Sequence, residues 1–226
     1  DVNGEMSVNG VLFGKGPGTG TDNVRAGYNS LTSNTTGYNN SAIGSISLSS
    51  NTTGYNNMAI GSSCLAGNTT GNQNLAIGTA AMYGNTTGFN NVGIGTYALV
   101  GNVTGAFNAA VGHSTAQSNT VGNYCTAIGA YALNSNTTGD ANIGIGMNAG
   151  YYITTGSYNT VIGSFSNTDI TTGSNNTIIG SNITGLTSSL SNNIILADGA
   201  GTQRIRVLSD GKTGIGTTTP LQTLHV

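Results

Sequence analysis

The chain has 226 residues, of which only 5% are charged, with 37 glycines and no tryptophan. Between Arg25 and Arg204 there is no Lys or Arg, so nucleic acid and anionic lipid surfaces, both held chiefly by cationic side chains, are not expected partners. Two cysteines, Cys64 and Cys125, are too few for a disulfide framework, and no apolar run reaches the roughly 20 residues that a membrane-spanning helix needs.

In chain order, residues 1–19 read as a leader or cap. Residues 20–197 are a tandem array. Its first marker is the glycine of an NTTG-like turn, at Gly37, Gly54, Gly71, Gly88, Gly105, Gly122, Gly139, Gly156 and Gly173, always 17 residues apart. A second glycine column keeps the same step, at Gly44, Gly61, Gly78, Gly95, Gly112, Gly129, Gly146, Gly163 and Gly180. Gly20 and Gly27 extend both columns one unit earlier, in a less regular copy of the kind that ends a stacked array.

The residue before the second glycine is Ile43, Ile60, Ile77, Ile94, Val111, Ile128, Ile145, Ile162 or Ile179. Before it comes a small residue, Ala42, Ala59, Ala76, Gly93, Ala110, Ala127 or Gly144, and then Val161 and Ile178. Alternation with a period of two predicts a short strand in each unit. The Ile column is expected to fill the coil interior. The Ala/Gly column, on the opposite face, is either a flat exposed surface or, the favoured expectation, the place where other chains approach closely. Leu48, Leu65, Met82, Leu99, Ala116 and Leu133, five residues on, predict a second strand. The glycine and asparagine positions predict corners.

Two glycines in every 17 residues leave no room for a helix. The expected fold is all-β, a parallel β-solenoid or β-roll of 17-residue coils, with three chains intertwined or side by side as a homotrimer. Coils stacked about 4.8 Å apart would make a rod on the order of 45–55 Å long. Residues 198–226 read as a C-terminal β segment and trimer-stabilising tail.

Units such as NNMAIG, NQNLAIG and NNVGIG resemble the repeated strand motif in the heads of trimeric autotransporter adhesins. The NTTGxxNxAIG array is also similar to phage tail-fibre proteins. There a leader like Val8-Asn9-Gly10-Val11 with Gly14-Lys15-Gly16 precedes the repeats, and a tail like Gly214 through Pro220 and Leu224-His225-Val226 follows them. The resemblance implies a trimeric extracellular or virion fibre whose tail leads into a cleaved, endosialidase-type intramolecular chaperone. It implies a spacer that touches a host surface, with a cell-surface glycan or protein receptor and other fibre or baseplate proteins as partners. A bacterial adhesin anchored at the cell surface is the alternative.

No catalytic group, cofactor or metal site is expected. His113 and His225 have no acidic or nucleophilic companion at repeat spacing, and Cys64 and Cys125 fall in different columns. Tyr38, Tyr55 and Phe89 share one column, and Tyr151 and Tyr152 form a pair; these five are the candidate surface or glycan contacts. The threonines Thr35, Thr52, Thr69 and Thr86 raise ice binding as a further alternative.

Overall fold

A computed structural model describes residues 6–8, 11–167 and 169–224. His225 therefore lies outside the described residues, as do Asn9, Gly10 and Val226 of the leader and tail motifs. The strands are β1 (Met6–Val8), β2 (Val11–Gly14), β3 (Val24–Ala26), β4 (Ser41–Ile43), β5 (Met58–Ile60), β6 (Leu75–Ile77), β7 (Val92–Ile94) and β8 (Ala109–Val111). They continue as β9 (Thr126–Ile128), β10 (Ile143–Ile145), β11 (Thr160–Ile162), β12 (Thr177–Ile179), β13 (Ile194–Ala197), β14 (Gln203–Val207) and β15 (Thr213–Ile215). No described residue is helical.

All 15 strands form one sheet whose order follows the chain. From β3 to β13 neighbours pair in parallel, each residue opposite the one 17 positions on: Ala59 lies against Ala76, and Ile60 against Ile77. This is a parallel β-solenoid of 17-residue coils. The parallel stack ends in antiparallel strands on both sides, β1 and β2 before β3, and β14 and β15 after β13. Each end of the apolar interior also meets an arginine. Arg25 takes the inward strand position beside Ala42 and is 5% exposed, while Arg206 lies opposite Ile195. Their hydrocarbon stems cover the last coils, where no further coil would.

Each coil has one strand and not two. Leu48, Leu65, Met82, Leu99, Ala116 and Leu133 sit in turns with φ between 47° and 54°, a left-handed conformation that no strand contains. The main chain still stacks there. Leu48 N–H donates to the Cys64 carbonyl at 3.0 Å and Ser50 N–H to that of Ala66 at 3.1 Å. Coil-to-coil hydrogen bonding thus runs past the strand without strand dihedrals.

The two faces of the strand are the reverse of the expectation. Ala42, Ala59, Ala76, Ala110 and Ala127 are at most 1% exposed and line the coil interior, together with Gly93 and Gly144. They cannot form a trimer interface. Ile43, Ile60, Ile77, Ile94, Val111, Ile128, Ile145, Ile162 and Ile179 point outward, half-buried or exposed, with Ile43 at 42% and Ile128 at 43%. They are not the core ladder.

The cause is space. A strand of three residues turns only its middle residue inward, and the leucine column already occupies the facing volume. A Cβ on Gly93 would lie 2.8 Å from Met82 Cγ, and one on Gly144 would lie 2.8 Å from Leu133 Cγ. Where the leucine column changes to Gly150, the inward strand residue grows to Val161, so the volumes remain complementary.

Two asparagine ladders complete the interior. Asn34, Asn51, Asn68, Asn85, Asn102, Asn119 and Asn136 are each at most 3% exposed. Asn68 Nδ2 donates to Asn51 Oδ1 at 2.8 Å and to the Gly71 carbonyl at 3.0 Å. The second ladder runs through Asn23, Asn40, Asn57, Asn74, Asn91 and Asn108, resuming at Asn142. Here Asn57 takes Asn40 Oδ1 with both its N–H (3.0 Å) and its Nδ2 (3.1 Å), and Nδ2 also reaches the Gly71 carbonyl at 2.8 Å. Both ladders thus converge on the NTTG glycine.

That glycine is not there for a positive φ, which belongs to the second column, as at Gly61 with φ 130°. It faces inward, where a Cβ on Gly71 would strike Asn68 Oδ1 and the Gly88 carbonyl and lie 2.8 Å from Asn85 Nδ2.

Candidate contact surface

Because the strands turn their first and third residues outward, they build a two-column apolar stripe down the rod. One column carries Met58, Leu75, Val92 and Ile143 but also Ser41, Thr126, Thr160 and Thr177, and the Ile/Val ladder is the other, apolar in every row. Eleven strands about 4.8 Å apart, with columns about 7 Å apart plus side-chain width, give on the order of 500 Å². An apolar patch of that size is at the upper end of what a lone soluble chain exposes. No charged residue belongs to either column from β4 to β13.

The candidate aromatics divide into two groups. Tyr38 and Tyr55 stack face to face, with centroids 5.0 Å apart and planes 5° apart. Phe89 meets Phe107 edge-on at 5.3 Å, and Phe107 stacks on Tyr124 at 5.2 Å. This is a ridge that consumes its own ring faces. Phe107 and Tyr124 were not anticipated, because they occupy the column one position after Tyr38. That column also has positive φ, at 58° for both residues, and bending there brings neighbouring columns into contact.

Tyr151 and Tyr152 lie elsewhere, in the turn between β10 and β11. Their rings meet at 4.7 Å and 76°, and with Asn148 and Phe165 they line a cleft of about 340 Å³. The repeat changes locally to allow this. Gly150, with φ 62°, replaces the inward leucine, and Ile153 replaces the inward asparagine and is fully buried. A Cβ on Gly150 would lie 2.9 Å from Leu133 Cδ2 and 3.1 Å from Ile153 Cδ1. Asn148 and Phe165, 17 residues apart, continue the column of Tyr97 and Tyr131, a register that could have flagged them.

The threonine ladder is committed along the rod in its hydrogen bonding. Thr35, Thr52, Thr69 and Thr86 each donate Oγ1–H to the carbonyl of the next coil, at 2.9–3.1 Å. Those hydroxyl protons are unavailable to an ordered water lattice.

The reactive side chains are dispersed. His113 lies edge-on between Tyr97 (6.4 Å) and Tyr131 (5.3 Å). Cys64 is buried, and burial raises its thiol pKa. Cys125 replaces an asparagine of the second ladder, and burial, helped by the charge of Asp140, pushes it up to about 11. Its Sγ–H reaches the Gly139 carbonyl at 3.3 Å. Neither thiol is poised as a nucleophile, since the thiolate is the reactive form.

Among the described residues no group of three or more His, Cys, Asp or Glu could hold a metal ion, and no helix is long and apolar enough to cross a membrane. No protein-family model matches the chain, and neither the curated proteins nor the solved structures offer a significant match.

Proposed function

We propose that this chain is a segment of an extracellular fibre, of the virion tail-fibre kind, in which three copies lie side by side and act as spacer and host-surface contact. The observation that carries the reading is the outward stripe. It is continuous over eleven strands, apolar throughout its Ile/Val column, interrupted in the other column only by Ser41, Thr126, Thr160 and Thr177, and free of charge from β4 to β13. A rod that buried this stripe against two copies of itself would shield the apolar area that one thin solenoid leaves wet.

A rotation axis along the rod keeps all chains running in the same direction, as a fibre continuing at both ends requires. The resemblance of the repeat to tail-fibre and adhesin arrays supports the same arrangement. In this trimer the contact is made by the isoleucines and not by the alanines. The partners are two further copies along the stripe, fibre or baseplate proteins at the ends, and a host receptor on the remaining surface.

Antibodies against the purified chain, applied as immunogold to the source cells and to particles released from them, test this directly. Gold along fibres projecting from particles is the expected result. Gold on the cell envelope would shift the reading to an anchored adhesin, and gold confined to the cell interior would overturn both.

A further inference from the structure

The cleft formed by Tyr151, Tyr152, Phe165 and Asn148 is set apart from the aromatic ridge by its shape, and that shape points to a ligand. It is concave, and its two tyrosine rings meet at an angle and do not stack as Tyr38 and Tyr55 do, with the amide of Asn148 beside them. Asn148 makes its backbone bond, N–H to the Ala130 carbonyl at 3.0 Å, while its side chain bonds to no described residue. The inward asparagines of the ladders contrast with it, since their amides are taken up by neighbouring coils.

We infer that this cleft is a binding subsite for a neutral saccharide, holding one or two pyranose rings. An aromatic face carries negative charge density, and the C–H groups on the apolar face of a pyranose are positively polarised, so the two attract while both leave water. The amide of Asn148 offers both donors and an acceptor, which suits a hydroxyl that is itself both. Tyr151 and Tyr152 set their rings 76° apart, making a corner that a ring-shaped ligand can enter. The depression, about 340 Å³, is shallow and open to solvent, which suits a sugar held by one face.

Charge narrows the class. No Lys or Arg occurs between Arg25 and Arg204, so nothing is available to pair with an acidic sugar. The nearest acid by column is Asp169, one coil beyond Tyr152, and its Oδ2 accepts the Leu186 N–H at 3.3 Å. A neutral sugar fits this setting. The inference deepens the contact part of the function proposed above, and the fibre and trimer parts are tested by labelling and sedimentation, which do not depend on it.

The repeat itself supplies mild substitutions. Ser118 and Ser135 occupy the column of Tyr152, and Ala80, with φ 54°, occupies the column of Asn148. The test is saturation-transfer NMR on the full chain with lactose, maltotetraose, mannotriose and N,N′-diacetylchitobiose as probes. Far-UV circular dichroism verifies that each variant is folded. At least one probe should receive saturation on its ring C–H protons. Tyr152→Ser and Asn148→Ala should each weaken its binding about tenfold, while Tyr38→Ala leaves it unchanged. Absence of binding by every probe at millimolar concentration overturns the inference. So does binding that survives both cleft substitutions in folded protein.

Discussion

Asn68 has no free hydrogen-bonding capacity that matters. Its Nδ2 donates to Asn51 Oδ1 and the Gly71 carbonyl, and its Oδ1 accepts from Asn85 Nδ2 at 2.8 Å. Removing it orphans buried groups on both neighbouring coils, each costing about 1–3 kcal/mol. Asn68→Ala should therefore destabilise the surrounding coils by about 3 kcal/mol or more. Because a stacked array opens locally, the proper readout is amide hydrogen exchange. Protection should fall most from about residue 51 to residue 91, and an unchanged exchange pattern would contradict the ladder's role. Nature's own interruptions follow the same rule. Cys125 deprives Asn142 of its usual acceptor, and Ile153 deprives Asn136 of its usual donor. The two orphans pair with each other, Asn142 Nδ2 to Asn136 Oδ1 at 3.2 Å.

At the scale of one coil, the cost is backbone strain and the return is burial. A leucine in the left-handed region costs about 1–2 kcal/mol, whereas burying its side chain contributes about 1.5–3 kcal/mol. Leu48, Leu65, Leu99 and Leu133 make that exchange at 0% exposure. The glycines divide the remaining demands: Gly61 supplies a φ of 130°, and Gly71 supplies missing volume.

Gly71→Ala should thus lower the thermal midpoint markedly although its φ is allowed to any residue. Ala at the exposed, positive-φ position of Gln73 should lower it little, since Ala141 already occupies that column with φ 53°. Equal effects at 71 and 73 would refute the packing explanation. Sequence spacing made the 17-residue step, the all-β class and the strand before each second glycine legible, because each is a property of periodicity, but it also suggested a second strand at the leucine column, where the chain turns instead. It could not reveal which side of a three-residue strand faces inward. That depended on volume already filled by Leu65 or Met82 from another part of the coil, and the general tendency of large apolar residues to be inside does not exclude exposed ones. The cleft was half legible: Tyr151 and Tyr152 stand out in their columns, but Asn148 and Phe165 join them only through stacking of consecutive coils.

For the whole molecule, the ends and the side of the rod have opposite characters. The ends carry every Lys and Arg and the antiparallel strands, including the Arg204–Asp198 and Lys212–Asp210 pairs. Such exposed pairs add little stability, but charge and antiparallel caps discourage uncontrolled strand pairing. The side presents the Ile stripe with no such guard. A surface defended at its ends and left apolar along its length is suited to lateral association of rods. The most direct test is sedimentation equilibrium of the intact chain beside the double variant Ile77→Lys/Ile94→Lys, whose charges fall in the middle of the stripe. The wild-type chain should sediment at the mass of three chains, and the variant at the mass of one with its far-UV circular dichroism unchanged. A wild-type chain that sediments as a monomer, or a double variant that remains a trimer, would contradict the account.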